Sequence, residues 1–447
     1  MSASGDDATR PTRLAVQQPG RPLRPADKYD APLLAAQHGP VQFHVMAKPV
    51  GSVCNLGCTY CFYLSKETLP GGPGAGRMSE EVLESFVRQY IEGVSAPEVT
   101  FTWQGGEPML RGLEFYRKAV ALQKQYARPG QAVQNDLQTN GILLDEEWCA
   151  FLKENRFLVG LSIDGPRELH DCYRVGKGGR PTFDAVMKGV RLLQKFGVPF
   201  NTLTCVHRQN ARRPIDVYRF LRDDVGATTL QFTPVVEHRG FDRGSLRAQL
   251  PAEPPVVGAP EARPGSPGSV VTEWSVDPDD WGYFLCRTFD RWADRDVGRI
   301  FVNQFETLVA QHLGLPSQMC VYSETCGKAV ALEHSGALFA CDHFVYPDHH
   351  IGDVRSGRLR NSVLSRAQVA FGFAKSERLP RTCRGCSFVA DCWGECPKNR
   401  LLRTADGEPG LSYLCSGLKT FYAHALPRIE SIVADLRRSA RREEGWM

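Results

Sequence analysis

Eleven of the fifteen cysteines in this 447-residue chain fall into two groups, Cys54-x3-Cys58-x2-Cys61 near the start and a set of eight from Cys320 to Cys415. Thiols this dense, in a chain too long to need disulfide staples, point to metal ligation in a reducing compartment. Three thiolates leave one iron of a four-iron cluster without a protein ligand, so the first group offers a place for chemistry. Cys320, Cys326, Cys341, Cys383, Cys386, Cys392, Cys396 and Cys415 suffice for two complete ligand shells, which suit electron transfer. Zinc is the simplest competing ligand of closely spaced cysteines. It fits Cys54, Cys58 and Cys61 poorly, because no adjacent histidine or cysteine supplies a fourth ligand and His44 lies upstream on an apolar run. A zinc ribbon at Cys383, Cys386, Cys392 and Cys396 would leave Cys320, Cys326, Cys341 and Cys415 without a role. Cys149, Cys172, Cys205 and Cys286 read as small buried apolar residues.

Composition narrows the class further. The length corresponds to about three domain equivalents, enough to enclose a site. The net charge of +4 comes from 54 basic and 50 acidic residues, a balance that gives no reason to expect nucleic-acid binding. No run of eighteen apolar residues and no signal-peptide pattern stands out, so no membrane partner is expected and the cytoplasm is the expected location.

From residue 41 onward, apolar strand-like runs alternate with helical stretches. Strands are expected at 41–50, 99–104, 132–139, 157–163, 200–206 and 230–235, with a helix at 79–91 after the first cysteine loop. Such alternation predicts an α/β fold with a parallel sheet, and six units curl into a partial (β/α)6 TIM-like barrel whose functional residues sit on the loops after the strands. Residues 1–40 read as a flexible leader. The stretch 237–278 is rich in proline and reads as a mobile insertion or linker. A helix follows at 280–296, where Trp281, Phe284, Leu285, Phe289 and Trp292 share one face.

The segment Cys54-Asn55-Leu56-Gly57-Cys58-Thr59-Tyr60-Cys61-Phe62-Tyr63 resembles the cluster loop of radical S-adenosylmethionine enzymes. Gln104-Gly105-Gly106-Glu107-Pro108, directly after a predicted strand, resembles the GGEP motif of that family; its glycines would let backbone groups approach the methionine end of the cofactor. The same likeness implies that Ser162 and Arg174 contact S-adenosylmethionine, the arginine through a fork suited to carboxylates. The later cysteine spacing resembles the SPASM auxiliary-cluster domain. That resemblance implies three [4Fe-4S] clusters in all: one at Cys54, Cys58 and Cys61, one at Cys320, Cys326, Cys341 and Cys396, and one at Cys383, Cys386, Cys392 and Cys415. The implied layout is a barrel over 41–236, the insertion, a helical connector over 279–314, the SPASM domain over 315–421 and a C-terminal helix or tail over 422–447.

Within this group the chain is most similar to the anaerobic sulfatase-maturating enzymes. Gln138-Thr139-Asn140-Gly141, Cys341-Asp342-His343-Phe344-Val345-Tyr346-Pro347 and Trp393-Gly394-Glu395-Cys396-Pro397-Lys398-Asn399-Arg400 carry the likeness, together with the two motifs above. The family oxidises a cysteine or serine of a sulfatase, in a Cys/Ser-x-Pro-x-Arg type segment, to Cα-formylglycine. The resemblance implies Asp342 as the base for the thiol or hydroxyl proton, Tyr63 and Gln104 in the substrate pocket, Glu107 as a loop-ordering carboxylate beside the cofactor, and a flavodoxin or ferredoxin as reductant. Two other readings stay open at this level: a maturase that crosslinks ribosomal peptides, and a non-catalytic iron–sulfur electron carrier.

Overall fold

The computed structural model describes residues 42–67, 76–241 and 253–444. The leader expected over 1–40 and the 242–252 portion of the proline-rich stretch lie outside the described residues. Strand β1 (His44–Lys48) leads into the first cysteine loop and helix α1 (Glu80–Gly93), followed by β2 (Glu98–Trp103), α2 (Leu113–Tyr126), β3 (Ala132–Thr139), α3 (Glu146–Glu154), β4 (Leu158–Ser162), α4 (Phe183–Phe196), β5 (Phe200–Val206), α5 (Pro214–Arg219) and β6 (Thr229–Pro234). β1 to β6 pair in parallel and in chain order. This is the partial α/β barrel that the alternation predicts.

Local chemistry explains these elements. Ser79 caps α1, its hydroxyl accepting from the Val82 N–H at 3.2 Å, and Glu80 and Glu81 complement the helix dipole. Asp145 caps α3 in the same way through Trp148 N–H at 2.8 Å. In β2, Val99, Phe101 and Trp103 alternate onto the buried face, where Phe101 and Trp103 stack near Phe86 of α1. β1 stops at Lys48 because Pro49 has no N–H to continue the ladder.

The C-terminal part continues the same sheet. After α6 (Pro278–Arg295), β7 (Phe301–Val302) and α7 (Asn303–His312), strand β8 (Ala329–Glu333) pairs in parallel with the outer edge of β1, and Lys48 stands opposite Glu333. β9 (Ala337–Phe339) and β10 (His350–Asp353) extend this edge antiparallel, and β7 closes the other edge on β6. Helix α8 (Arg366–Glu377) covers the cysteine turns, and α9 (Cys415–Glu444) packs on α6. The two helices meet at glycines: a Cβ on Gly417 would lie 1.9 Å from the Pro278 carbonyl oxygen and one on Gly282 would lie 2.7 Å from Gly417.

Two expectations need correcting. The described part of the proline-rich stretch is packed rather than loose: Val271, Ser275 and Val276 are fully buried, and the Val276 N–H donates to the Val235 carbonyl at 2.8 Å. Proline removes ladder donors, but it does not stop neighbouring valines from being buried. Of the four remaining cysteines, Cys149 is buried as expected, whereas Cys172 is exposed and Cys205 and Cys286 are half-buried.

Candidate active site

The loops after β1, β2, β3 and β4 converge at the C-terminal end of the barrel. The cysteine loop is pinned from one side by Gly57 N–H to Val175 carbonyl (3.0 Å) and Thr59 N–H to Tyr173 carbonyl (2.9 Å). From the other side it receives the loop after β2, through Gly106 N–H to Gly51 carbonyl (2.8 Å) and Glu107 N–H to Val53 carbonyl (2.9 Å). A Cβ on Gly106 would lie 2.1 Å from the Val53 carbonyl oxygen, and Gly105 has φ +129° with the Gly51 oxygen 2.7 Å from its would-be Cβ. These glycines therefore let one loop lie on the other, a role in addition to the cofactor approach expected of them.

Glu107 is fully buried and accepts from Met109 N–H (3.1 Å), Thr139 hydroxyl (2.8 Å) and Asn140 N–H (2.8 Å), tying the loop after β2 to the end of β3. Burial pushes its pKa up to about 7 against the pull of these donors. These three bonds tie the loop after β2 to the end of β3. Asn140 continues the chain of contacts, with its side-chain amide 2.8 Å from the Asn55 oxygen and 3.8 Å from the Cys54 sulfur. Ser162 stands nearly buried at the end of β4.

Arg174 also has an internal partner. Its fork closes on the fully buried Asp164, with Nε to Oδ2 at 3.2 Å and Nη2 to Oδ1 at 3.1 Å, so the carboxylate it reads bidentately is internal. Asp164 also accepts from the Tyr60 hydroxyl (2.5 Å) and the Cys205 N–H (3.0 Å). Burial alone would raise its pKa, yet Arg174 outweighs it and holds the carboxyl below its usual range. The result is a rigid buttress behind Tyr60, between Cys58 and Cys61. Sequence reading missed Asp164, although it lies two residues after Ser162.

On the β8 side a second group of buried charges gathers. Asp342 is bonded to Lys48, a fully buried lysine at the end of β1. Burial works to raise the Asp342 pKa, and Lys48 reverses the balance so that the carboxyl sits below its ordinary value. The Lys48 ammonium also lies 4.5 Å from the centroid of the Tyr63 ring, and the Tyr63 hydroxyl donates to Glu333 of β8. Gln104 is nearly buried at the end of β2, its N–H bonded to the Ala47 carbonyl at 2.9 Å. Lys66 is fully buried with its ammonium 3.3 Å from the Tyr346 ring centroid, and burial draws its pKa down to about 7. Lys398 pairs with Glu237 at 2.5 Å. The structure thus brings Tyr63 and Asp342 together around Lys48; Lys48 and Glu333 were missed, the only signal being a charge at the end of an apolar strand.

The later cysteines separate into two places. Cys383, Cys386, Cys392 and Cys415 line one apolar cavity with Phe388, Leu411, Leu418 and Tyr422. Near the other four, Lys375 fixes the Cys320 turn by donating to the carbonyls of Cys320 (2.7 Å), Val321 (2.8 Å) and Ser323 (2.5 Å). Burial and the neighbouring Cys396 and Cys320 push the Cys341 thiol well up. Burial also raises Cys54 to about 11, Cys58 to about 12, Cys383 to about 11 and Cys392 to about 12, so metal ligation by these thiols would expel protons. Among the described residues no three His, Cys, Asp or Glu side chains converge on a point that would hold a single metal ion. A cubane spreads its thiolates more widely, and the all-sulfur donor sets suit it.

A strand-borne CxxxCxxC loop at the mouth of a partial barrel defines a radical S-adenosylmethionine enzyme, and residues 49–221 match the Radical SAM superfamily. The chain is 43% identical to a serine-type anaerobic sulfatase-maturating enzyme of Bacteroides thetaiotaomicron, over 88% of this chain and 92% of that one. It is 30% identical to a cysteine-type enzyme of Clostridium perfringens, over 88% of this chain and 99% of that one. The solved structure of native anSMEcpe with bound AdoMet and the Cp18Cys peptide superposes with a TM-score of 0.74 at 30% identity, covering 89% of this chain and all of that one. The chain belongs to the anaerobic sulfatase-maturating enzymes. It is a protein-modifying enzyme of sulfatase activation that uses S-adenosylmethionine and a [4Fe-4S] cluster. Among the described residues no helix is long and apolar enough to cross a membrane.

Proposed function

We propose that the chain oxidises a cysteine or serine side chain, in a Cys/Ser-x-Pro-x-Arg type segment of a sulfatase, to Cα-formylglycine without using oxygen. The observation that carries this reading is the meeting of Asp342, Lys48 and Tyr63 beside the loop of Cys54, Cys58 and Cys61. Cys54, Cys58 and Cys61 would hold the cluster that binds S-adenosylmethionine, Cys320, Cys326, Cys341 and Cys396 a second, and Cys383, Cys386, Cys392 and Cys415 a third. When bound, these groups supply a 5′-deoxyadenosyl radical for the substrate Cβ hydrogen and a route for the departing electron.

The protein's own part is proton handling and placement. Asp342 takes the thiol or hydroxyl proton of the target, and Lys48 holds the carboxylate charged and fixed in a water-poor site until it does so. Tyr63 and Gln104 line the pocket. Gly105, Gly106, Glu107 and Ser162 shape the loops around S-adenosylmethionine, with Arg174 acting from behind through Asp164. The higher identity to a serine-type relative supports serine among the targets. A flavodoxin or ferredoxin is the proposed reductant and the cytoplasm the proposed location.

The test is mass spectrometry of Cys- and Ser-containing peptides of this pattern after anaerobic incubation with reconstituted enzyme, S-adenosylmethionine and a strong reductant. An aldehyde on the target residue together with 5′-deoxyadenosine is expected. 5′-Deoxyadenosine with both peptides unchanged would overturn the assignment in favour of peptide crosslinking.

A further inference from the structure

We propose that Glu333 is a positioning residue for this oxidation: it holds the Tyr63 hydroxyl proton and so keeps that proton away from Asp342 and from the substrate. The inference rests on the functional reading above. Tyr63 comes from the cysteine loop and Glu333 from the end of β8, where the register places it opposite Lys48. Tyr63 is 3% exposed and Glu333 is 0% exposed, so water does not compete for either group.

A phenol carries one proton and can donate it once. Lys48 touches both neighbours, with its ammonium on Asp342 and 4.5 Å from the Tyr63 ring, so the Asp342 carboxylate and the tyrosine share one cation. Glu333 and Asp342 are the two carboxylates whose charges act on the Tyr63 hydroxyl, and Glu333 is the one bonded to it. Given to Asp342, that proton would occupy the oxygen that must receive the substrate proton. In the structure it goes to Glu333 Oε1 instead. Tyr63 can then meet the substrate only as an acceptor, and the donor beside it, the Lys48 ammonium, is engaged by Asp342.

The other Glu333 oxygen is buried with no hydrogen-bond partner, although the His334 ring lies 3.7 Å away. An acceptor with an unmet lone pair is costly to bury. Its retention at this place fits a group kept for the proton it holds rather than for packing.

The experiment compares wild type, Glu333→Gln, Tyr63→Phe and the double variant at equal iron content, reading kcat and KM for formylglycine and the 5′-deoxyadenosine formed per product. Glutamine preserves volume but binds the phenolic proton less strongly than a carboxylate does, so Glu333→Gln should lower kcat by about tenfold. KM should stay within about twofold, and more 5′-deoxyadenosine should form per aldehyde. In the Tyr63→Phe background there is no proton to hold, so adding Glu333→Gln should cost nothing further. A single Glu333→Gln variant at the wild-type rate, or one equally harmful with and without the Tyr63 hydroxyl, would overturn the role of Glu333 while leaving the functional reading intact. Wild-type enzyme that releases 5′-deoxyadenosine without aldehyde would overturn that reading itself.

Discussion

Glu107→Gln separates the worth of a buried charge from the worth of its hydrogen bonds. In the folded chain the carboxyl's pKa is pushed from 4.5 to about 7 by burial, despite the three donors around it. A carboxyl that holds its proton more tightly folded than unfolded contributes most to stability below pH 4.5, and its contribution declines until about pH 7. That window of roughly 2.5 pH units corresponds to roughly 3 kcal/mol. Glutamine has no charge to bury, but its amide hydrogens must face one of the donors from Met109, Thr139 or Asn140. The mismatch costs about 1–3 kcal/mol at every pH. Urea denaturation of cluster-free protein should therefore show the variant's disadvantage shrinking by roughly 2–3 kcal/mol between pH 5 and pH 8. A disadvantage that stays constant over this range would refute burial as the source of the raised pKa.

Asp342→Asn should form little or no aldehyde while still releasing 5′-deoxyadenosine, and it should lose about 3–5 kcal/mol of stability because Lys48 is left buried without its carboxylate. Gly106→Ala should fail to retain the cluster at Cys54, Cys58 and Cys61, since its Cβ would meet the Val53 oxygen at 2.1 Å; the loss would be seen as reduced iron and absent S-adenosylmethionine cleavage. Cys383→Ala should lower iron from about 12 to about 8 atoms per chain with S-adenosylmethionine cleavage preserved, whereas Cys54→Ala should abolish that cleavage.

Much of the barrel was legible because its strands announce themselves by apolar alternation, and β3 and β5 begin and end where that alternation does. The cysteines were legible because thiols at ligand spacing have few other uses. Pairings across long stretches of chain were not. Nothing near Arg174 says that it will clasp Asp164, since both partners are ordinary polar residues until the fold joins them. Lys48 and Glu333 become meaningful only through the pairing of β1 with β8, a strand that reads as part of a different segment. Proline content misled over 253–278 because it reports on backbone donors and is silent about the buried valines beside it.

The pairing of β8 with β1 also sets a timetable for biogenesis. β1 and its cysteine loop leave the ribosome roughly 280 residues ahead of the strand that covers the open edge of β1, which at about 5–20 residues per second is a delay of roughly 15–60 seconds. During that interval Lys48 has neither Asp342 nor Glu333 beside it, and the loop that receives iron is open on the side they later close. The strand that carries the first cysteine loop is thus left with one sheet edge uncovered until the C-terminal half of the chain has been made.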